Sequence, residues 1–376
     1  MLMEDCPIIS INVRVWLLWA YVKKVKWYVY LVGCIPVAAL NLFMFLNLFD
    51  GVLSGKADIN TIIIDGFFTV LYFNLVLRAS FLMANREKFE AFLNGIATEY
   101  ENLEREPITR PIVELYTRRG RILSKSNLWL GLIISVFYVM YPLFSPGKKL
   151  PYGIYIPGVD VYQSPCYEVV YVVQVYLTFP ACCMYIPFTS FFCTSALFGL
   201  VRISALKLSL ERIQEHNSSE KSLLNKMKEC FQYHKDVIKY VTDLNELVTY
   251  IFLLEFLSFG TMLCILLFLL SISKQLAQMG MIASYVFMIL SQMYGLYWHS
   301  NEVREQSMQI GDAIYYNESW ISFAKSVRRE IIIMVARAQR PLAIKVGNVY
   351  PMTLEMFQSL LNVSYSYFTL LKRVYN

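Results

Sequence analysis

Long uncharged runs alternate along the chain with shorter segments that are rich in lysine and arginine. A transmembrane α-helix needs about 20 mostly apolar residues, and seven runs reach that length. The pattern therefore predicts an all-α membrane protein with seven transmembrane helices. The predicted spans are residues 27–49, 59–85, 126–147, 169–201, 247–273, 275–301 and 346–371.

The distribution of basic residues predicts the orientation of these spans. Residues 1–26, 86–125, 202–246 and 302–345 together contain 27 of the 34 lysines and arginines. Segments with this excess stay on the cytoplasmic side of the membrane. The amino terminus is therefore predicted in the cytoplasm, and seven crossings place the carboxy terminus outside.

Several segments outside the spans also show helical patterns. Residues 13–22 predict a short helix at the membrane interface, followed by lysines and without a signal-peptide cleavage site. Apolar residues at helical spacing from Leu224 to Val248 lead directly into the fifth span, which predicts one long projecting helix. Residues 328–343 predict an amphipathic helix, after which Gly347 and Pro351 interrupt the path. The seventh element is thus predicted to be split into a cytoplasmic helix and a membrane helix.

Composition agrees with a membrane location. The 376 residues are 57% hydrophobic and only 16% charged, with a mean hydropathy of +0.45, which is too apolar for an ordinary soluble domain. The net charge of +6 is interpreted as a sign of orientation in the membrane. The sequence has no patch of interleaved basic and aromatic residues, so nucleic-acid binding is not expected. The eight cysteines show no CxxC spacing, so neither a metal site nor a disulfide scaffold is expected. No cofactor is expected either.

Four charged residues interrupt the predicted spans: Asp65, Arg78, Glu255 and Glu355. Charges within a membrane are costly unless paired or hydrated, so they raise a functional hypothesis. The last three could equally lie near the cytoplasmic interface. Of the three histidines, only His299 falls in a span, and spacing indicates no partner for catalysis. The sequence does not favour an enzyme.

Aromatic residues concentrate in the predicted outer halves of the second, third and fourth spans. Packing and interfacial belts explain most aromatic residues in membrane proteins. The alternative is a binding site, because aromatic walls with few charges suit a small, neutral, apolar ligand. The residues concerned are Phe67, Phe68, Tyr72, Phe137, Tyr138, Tyr141, Tyr171 and Tyr176.

In the seventh span, Val363, Tyr367, Leu370 and Val374 follow a 4, 3, 4 spacing that places them on one helical face. Lipid contact or helix packing would explain this face. If several subunits turned it towards a common axis, Leu370 and Val374 would form a hydrophobic constriction that gates by dewetting.

The carboxy-terminal third resembles the insect odorant receptor family. The resemblance is carried by residues 298–307, 313–315, 320, 336–341, 350–352, 357 and 364–368. It implies a ligand-gated, non-selective cation channel in the cell membrane, where the chain is the odorant-tuning subunit of a heterotetramer with a shared co-receptor. The corresponding location is the dendrite of an olfactory sensory neuron.

The resemblance also implies a separate role for each of three segments of the chain. Residues 1–301 would form a six-helix membrane region with cytoplasmic extensions, 302–345 the cytoplasmic anchor between subunits, and 346–376 the pore-lining helix and external tail. Leu370 would be the gate residue, with Val374 beside it. The odorant, a small apolar or aromatic volatile, would bind between helices two to six in the outer half. The matching residues are Phe68, Leu71, Tyr72, Phe137, Tyr138, Tyr141, Tyr171 and Gln174.

Two other classes of protein share the hydropathy pattern. A G-protein-coupled receptor would place the basic segments outside, against the charge rule. A secondary transporter would be expected to show an inverted repeat, and none is visible.

Overall fold

A computed structural model describes residues 1–18, 33–55, 58–144, 147–214, 220–315 and 323–375. The described chain is largely helical. Its α-helices are α1 (Ser10–Leu18), α2 (Cys34–Ser54), α3 (Ile59–Ala84), α4 (Arg86–Arg105), α5 (Arg110–Met140), α6 (Cys166–Glu211), α7 (Glu220–Ile272), α8 (Leu276–Tyr315), α9 (Lys325–Ala338) and α10 (Leu354–Tyr375). Two 3-10 turns, Tyr141–Phe144 and Arg212–Gln214, follow α5 and α6.

Six of the described helices are long and apolar enough to cross a membrane, namely α2, α3, α5, α6, α7 and α8. They correspond to the first six predicted spans. The first ends at Ser54 instead of residue 49, because apolar residues continue past Asp50. Its predicted beginning, residues 27–32, lies outside the described residues. The seventh, α10, contains Ser364, Ser366 and Thr369 and is less apolar.

The fourth, fifth and sixth spans are parts of much longer helices. α6 has 46 residues, α7 has 53 and α8 has 40. At about 1.5 Å of rise per residue, even the shortest is about 60 Å long, twice the thickness of a bilayer core. All three therefore project well beyond the membrane, on the side where the basic segments lie. The continuous helix predicted from residue 224 into the fifth span is present in α7.

The core is centred on the second half of α6, whose Phe188, Phe191 and Phe198 are buried. The short amino-terminal helix packs against this core. The Trp16 ring on α1 lies 4.8 Å from that of Phe191, and Val13 is fully buried. The described part of the predicted interfacial helix thus packs against protein with one face, because Val13 and Trp16 form an apolar stripe that α6 can bury.

A small β-hairpin separates α9 from α10. Strand β1 (Lys345–Val346) pairs antiparallel with β2 (Tyr350–Pro351). Gly347 and Asn348 have φ values of +57° and +61°, and the Val349 amide donates to the Val346 carbonyl at 3.1 Å. Two successive positive φ values are typical of the turns that close hairpins. The predicted split of the seventh element is therefore present, but residues 346–353 form a hairpin and turn instead of beginning the membrane helix.

Candidate functional site

Five aromatic side chains meet at the end of the bundle opposite the basic extensions. Phe68 and Tyr72 lie one turn apart on the same face of α3, and Tyr138 lies in the last turn of α5. Tyr285 comes from the third turn of α8, and Tyr152 comes from the loop between α5 and α6. The ring of Phe67, which is also buried, borders this group at 5.0 Å from Phe68 and 5.7 Å from Tyr285. All five side chains of the group are buried. They are called the aromatic cluster below.

The rings of the aromatic cluster are in mutual contact. The Phe68 centroid lies 4.4 Å from that of Tyr138 and 5.6 Å from that of Tyr285. The Tyr152 centroid lies 5.0 Å from Tyr72, 5.3 Å from Tyr138 and 5.4 Å from Phe68. Most pairs are edge-to-face or tilted, as aromatic quadrupoles prefer. A ligand entering this cluster has to separate rings that already contact one another.

Hydrogen bonds fix the polar ends of these rings. The hydroxyls of Tyr152 and Thr178 lie 3.0 Å apart, and the Tyr138 hydroxyl donates to the Pro151 carbonyl. The Gln174 amide is bonded on both sides to the backbone of Tyr152. The site therefore combines apolar walls with a few oriented polar groups, which is the usual composition of a small-molecule site.

A cleft of about 1270 Å³ opens next to the aromatic cluster. Its walls include Asn47, Asp65, Tyr138, Tyr141 and Met281. Asn47 donates a hydrogen bond to Asp65 at 2.7 Å, which joins α2 to α3. Because Tyr138 belongs to both the cleft and the cluster, the cleft offers a route from the surface to the aromatic rings.

The predicted ligand residues do not all come together. Phe68, Tyr72 and Tyr138 join the aromatic cluster, while Gln174 is buried beside it with its amide bonded to Tyr152. Phe137 points away from the cluster and is 72% exposed.

The other three predicted residues lie around the aromatic cluster. Leu71 is half-buried against the core. Tyr141 lines the cleft. The Tyr171 hydroxyl donates to the Val139 carbonyl at 2.7 Å, joining α6 to α5.

Sequence reasoning missed Tyr152 and Tyr285. Tyr285 carries a signal in the sequence, since it is an aromatic residue in the predicted outer half of the sixth span, like the candidates in the second, third and fourth spans. Tyr152 carries a weaker signal because hydropathy treats its loop as a connection. The sequence Pro151–Tyr152–Gly153 between two spans is the feature that could have suggested it.

A buried ion pair lies deeper in the bundle. Arg78 on α3 pairs with Glu255 on α7 and donates to the Tyr185 carbonyl on α6 at 2.8 Å. The Arg78 guanidinium also lies over the rings of Tyr185 and Phe188, 4.4 Å and 4.8 Å from their centroids. Both charged side chains are almost completely buried. The pair connects α3, which contributes to the aromatic cluster, with α7.

Two histidines and Glu355 remain as candidates for chemistry, and each lies in a different environment. His299 is bonded through Nδ1 to the Gly295 carbonyl one turn earlier. His234 lies in the projecting part of α7, where burial lowers its pKa to about 4 and keeps it neutral. Glu355 is exposed in the first turn of α10. Among the described residues, no group of three or more histidine, cysteine or acidic side chains could hold a metal ion.

The last helix is attached by one face only. Leu360 and Ser364 are buried, and the Ser364 hydroxyl approaches the Gly260 carbonyl of α7 at 3.3 Å. The predicted pore stripe borders this face, because Val363 and Tyr367 are three and seven positions from Leu360. Its members, each more than half exposed in the single chain, are Val363, Tyr367, Leu370 and Val374.

These features define a multi-pass helical membrane protein with a buried aromatic site at one end and a partly uncovered last helix. The sequence model of the family described as "7tm Odorant receptor" matches residues 58–365. The chain is 63% identical to Odorant receptor Or2 of Anopheles gambiae over the full length of both, and 50% identical to Odorant receptor 10 of Aedes albopictus over 99% of each. It is 34% identical to Odorant receptor 30a of Drosophila melanogaster, over 99% of this chain and 97% of that one. The protein belongs to the insect odorant receptor family.

The fold agrees with this assignment. The olfactory receptor OR5 of Machilis hrabei, solved in complex with eugenol, superposes with a TM-score of 0.83. The match covers 98% of this chain and 97% of that receptor at 15% identity. The family is one of receptors for small volatile molecules, not of enzymes.

Proposed function

We propose that this chain is the odorant-tuning subunit of a ligand-gated, non-selective cation channel. It assembles with the family's shared co-receptor into a heterotetramer in the cell membrane of olfactory sensory neurons, in their dendrites. A small apolar or aromatic volatile binds in the aromatic cluster, and the pore is lined by α10. The observation that carries the proposal is the buried aromatic cluster beside an open cleft.

The chemistry of the aromatic cluster limits its ligand. Five aromatic rings and few charges favour a small neutral molecule. Burying roughly 200 Å² of apolar ligand surface yields about 5 kcal/mol before the costs of association. Because the rings must also separate, affinity is expected to be modest and the range of ligands broad.

The connections between helices suggest how binding opens the pore. The aromatic cluster draws on α3, and the Arg78–Glu255 pair joins α3 to α7. α7 in turn contacts the buried face of α10 through Gly260. Separation of the rings would thus displace α7 and, with it, α10. The ligand shifts the channel towards the open state only by as much as it binds that state more tightly.

The test compares two neighbouring residues of α5. Tyr138 lies in the aromatic cluster, whereas Phe137 faces outwards. Currents evoked by a panel of aromatic volatiles would be recorded in cells that express this chain with a co-receptor subunit. Tyr138→Ala should raise the half-maximal concentration by roughly tenfold, equivalent to about 1.4 kcal/mol. Phe137→Ala, at equal surface expression, should leave it unchanged.

Equal dose–response curves for Tyr138→Ala and the wild-type channel would contradict this site. Tyr138→Leu provides a second variant that keeps apolar volume if the alanine variant does not reach the surface.

A further inference from the structure

The loop between α5 and α6 inserts into the bundle instead of passing over it. Pro151, Tyr152 and Ile154 are buried, and Tyr155 is exposed. Residues 151–154 thus close the aromatic cluster from the side of the cleft. They are called the plug segment below.

Gln174 holds the plug segment by its backbone. Its side-chain oxygen accepts a hydrogen bond from the Tyr152 amide at 3.0 Å, and its side-chain nitrogen donates to the Tyr152 carbonyl at 2.9 Å. Both halves of this buried amide are therefore used by one residue of the loop. A buried side-chain amide without partners is costly. The two bonds from Gln174 therefore stabilise the inserted position of Tyr152.

Gly153 lets the plug segment lie directly on the helices below. A Cβ atom at this position would lie 2.5 Å from Asp65 Oδ1 and 2.7 Å from Asn47 Nδ2. A Cβ atom essentially never lies within 3.0 Å of another heavy atom to which it is not bonded, so glycine permits the close approach. Two further bonds complete the attachment: Tyr138 donates to the Pro151 carbonyl, and the Tyr155 amide donates to the Phe43 carbonyl at 3.3 Å.

The inserted ring becomes part of the site. Tyr152 contacts the rings of Phe68, Tyr72 and Tyr138, and its hydroxyl pairs with Thr178. We infer that Tyr152 is a ligand-contacting, specificity-determining residue supplied by the loop, and that Gln174 is its positioning residue. A ligand arriving through the cleft gains access when the plug segment lifts. This inference rests on the proposed function, because it assumes that the aromatic cluster binds the ligand.

The first experiment measures ligand preference in the channel expressed with a co-receptor subunit. Its probes are toluene, anisole, benzaldehyde and eugenol. Tyr152→Ala should change the rank order of the probes and shift the half-maximal concentration of the best one at least several-fold. Tyr155→Ala, an exposed tyrosine of the same loop, should change neither. Tyr152→Leu replaces the alanine variant if surface labelling shows poor expression.

The second experiment separates positioning from general stability. Gln174→Leu removes both bonds to Tyr152, whereas Gln174→Glu retains an acceptor for the Tyr152 amide. Current onset and decay after washout should become several-fold faster in Gln174→Leu and intermediate in Gln174→Glu, at equal surface expression. A purely structural role would lower surface expression without this graded change in rates.

A third measurement needs no agonist. A membrane-impermeant maleimide should label Ile154→Cys poorly in the otherwise wild-type channel and well when Gln174→Leu is added. Tyr162→Cys, an exposed position in the same loop, should be labelled equally in both.

The outcomes distinguish the two proposals. If Tyr72→Ala and Tyr138→Ala alter the responses but Tyr152→Ala behaves like Tyr155→Ala, the plug segment is not part of the site and the aromatic cluster still is. If none of these variants alters the responses, the proposed site itself is wrong.

Discussion

At the scale of single residues, the Arg78–Glu255 pair carries a high desolvation cost. Both side chains are removed from solvent, and taking either charge out of water costs several kcal/mol. The Tyr185 carbonyl and two aromatic faces offset part of that cost for Arg78. The pair is therefore stable only as a unit, and each partner depends on the other.

The corresponding prediction is a double-mutant cycle. Arg78→Met should destabilise the protein by about 3–5 kcal/mol, because it leaves Glu255 charged and buried without its partner. Arg78→Met combined with Glu255→Leu should recover much of that loss. Thermal stability in detergent and surface expression are the measurements. Arg110→Met, which breaks an exposed pair with Glu114, should cost less than about 1 kcal/mol. Glu255→Leu alone completes the cycle, and a loss in the double variant equal to the sum of the two single losses would exclude coupling.

Residue-scale prediction from sequence succeeds where periodicity determines the direction of a side chain. Phe68 and Tyr72 are spaced by one helical turn, and both reach the aromatic cluster. Phe137 and Tyr138 are adjacent, so they differ by about 100° around the helix, and both cannot face the same site. The ion pair was not predicted because Arg78 and Glu255 are 177 positions apart, a separation that no spacing rule bridges.

At the scale of elements, the β-hairpin is attached to α7 by two polar side chains. The Thr249 hydroxyl donates to the Lys345 carbonyl at 2.9 Å and accepts from the Asn348 amide at 2.9 Å. Asn245 accepts from the Lys345 amide at 2.7 Å. Leu253 packs so closely that a Cβ on Gly347 would approach it to 3.2 Å. The hairpin therefore follows any displacement of α7 and leads directly into α10.

Thr249→Val tests this attachment, because valine keeps the shape of threonine and removes its hydroxyl. Two hairpin backbone groups lose a partner, which costs about 1–3 kcal/mol. We expect a lower maximal current at saturating agonist with an unchanged rank order of ligands. Thr242→Val is the matched control, since that hydroxyl donates to the Ile238 carbonyl within α7 itself. Equal maximal currents in the two variants would show that the hairpin does not couple α7 to the pore.

The elements themselves were largely predictable, and their ends were not. Long apolar runs predict the membrane helices because a bilayer imposes a minimum length. The hairpin was missed because its strands have only two residues each, too few for a period of two to be visible. Its positive φ values at Gly347 and Asn348 are a local property that the sequence hints at only through the glycine.

At the scale of the whole molecule, α10 is unlike the other membrane helices. One face is fixed to α7 through Leu360 and Ser364. The stripe beside that face is uncovered and includes Val374, which is 80% exposed in the single chain. Serine and threonine side chains in α10 make it less apolar than the six candidate spans. A helix of this composition suits a surface that faces water and other subunits better than one that faces lipid.

The pore proposal predicts that the stripe controls ion flow. In the assembled channel, Leu370→Ala should widen the hydrophobic constriction and ease its wetting, so that leak current without agonist rises or ion selectivity changes. Leu371→Ala is the matched control: the same side chain lies about 100° around the helix, off the stripe. Whole-cell currents with and without agonist, together with reversal potentials in two cation solutions, provide the measurement. If Leu370→Ala matches Leu371→Ala in leak and in selectivity, α10 does not form the gate, although the aromatic cluster could still be the ligand site.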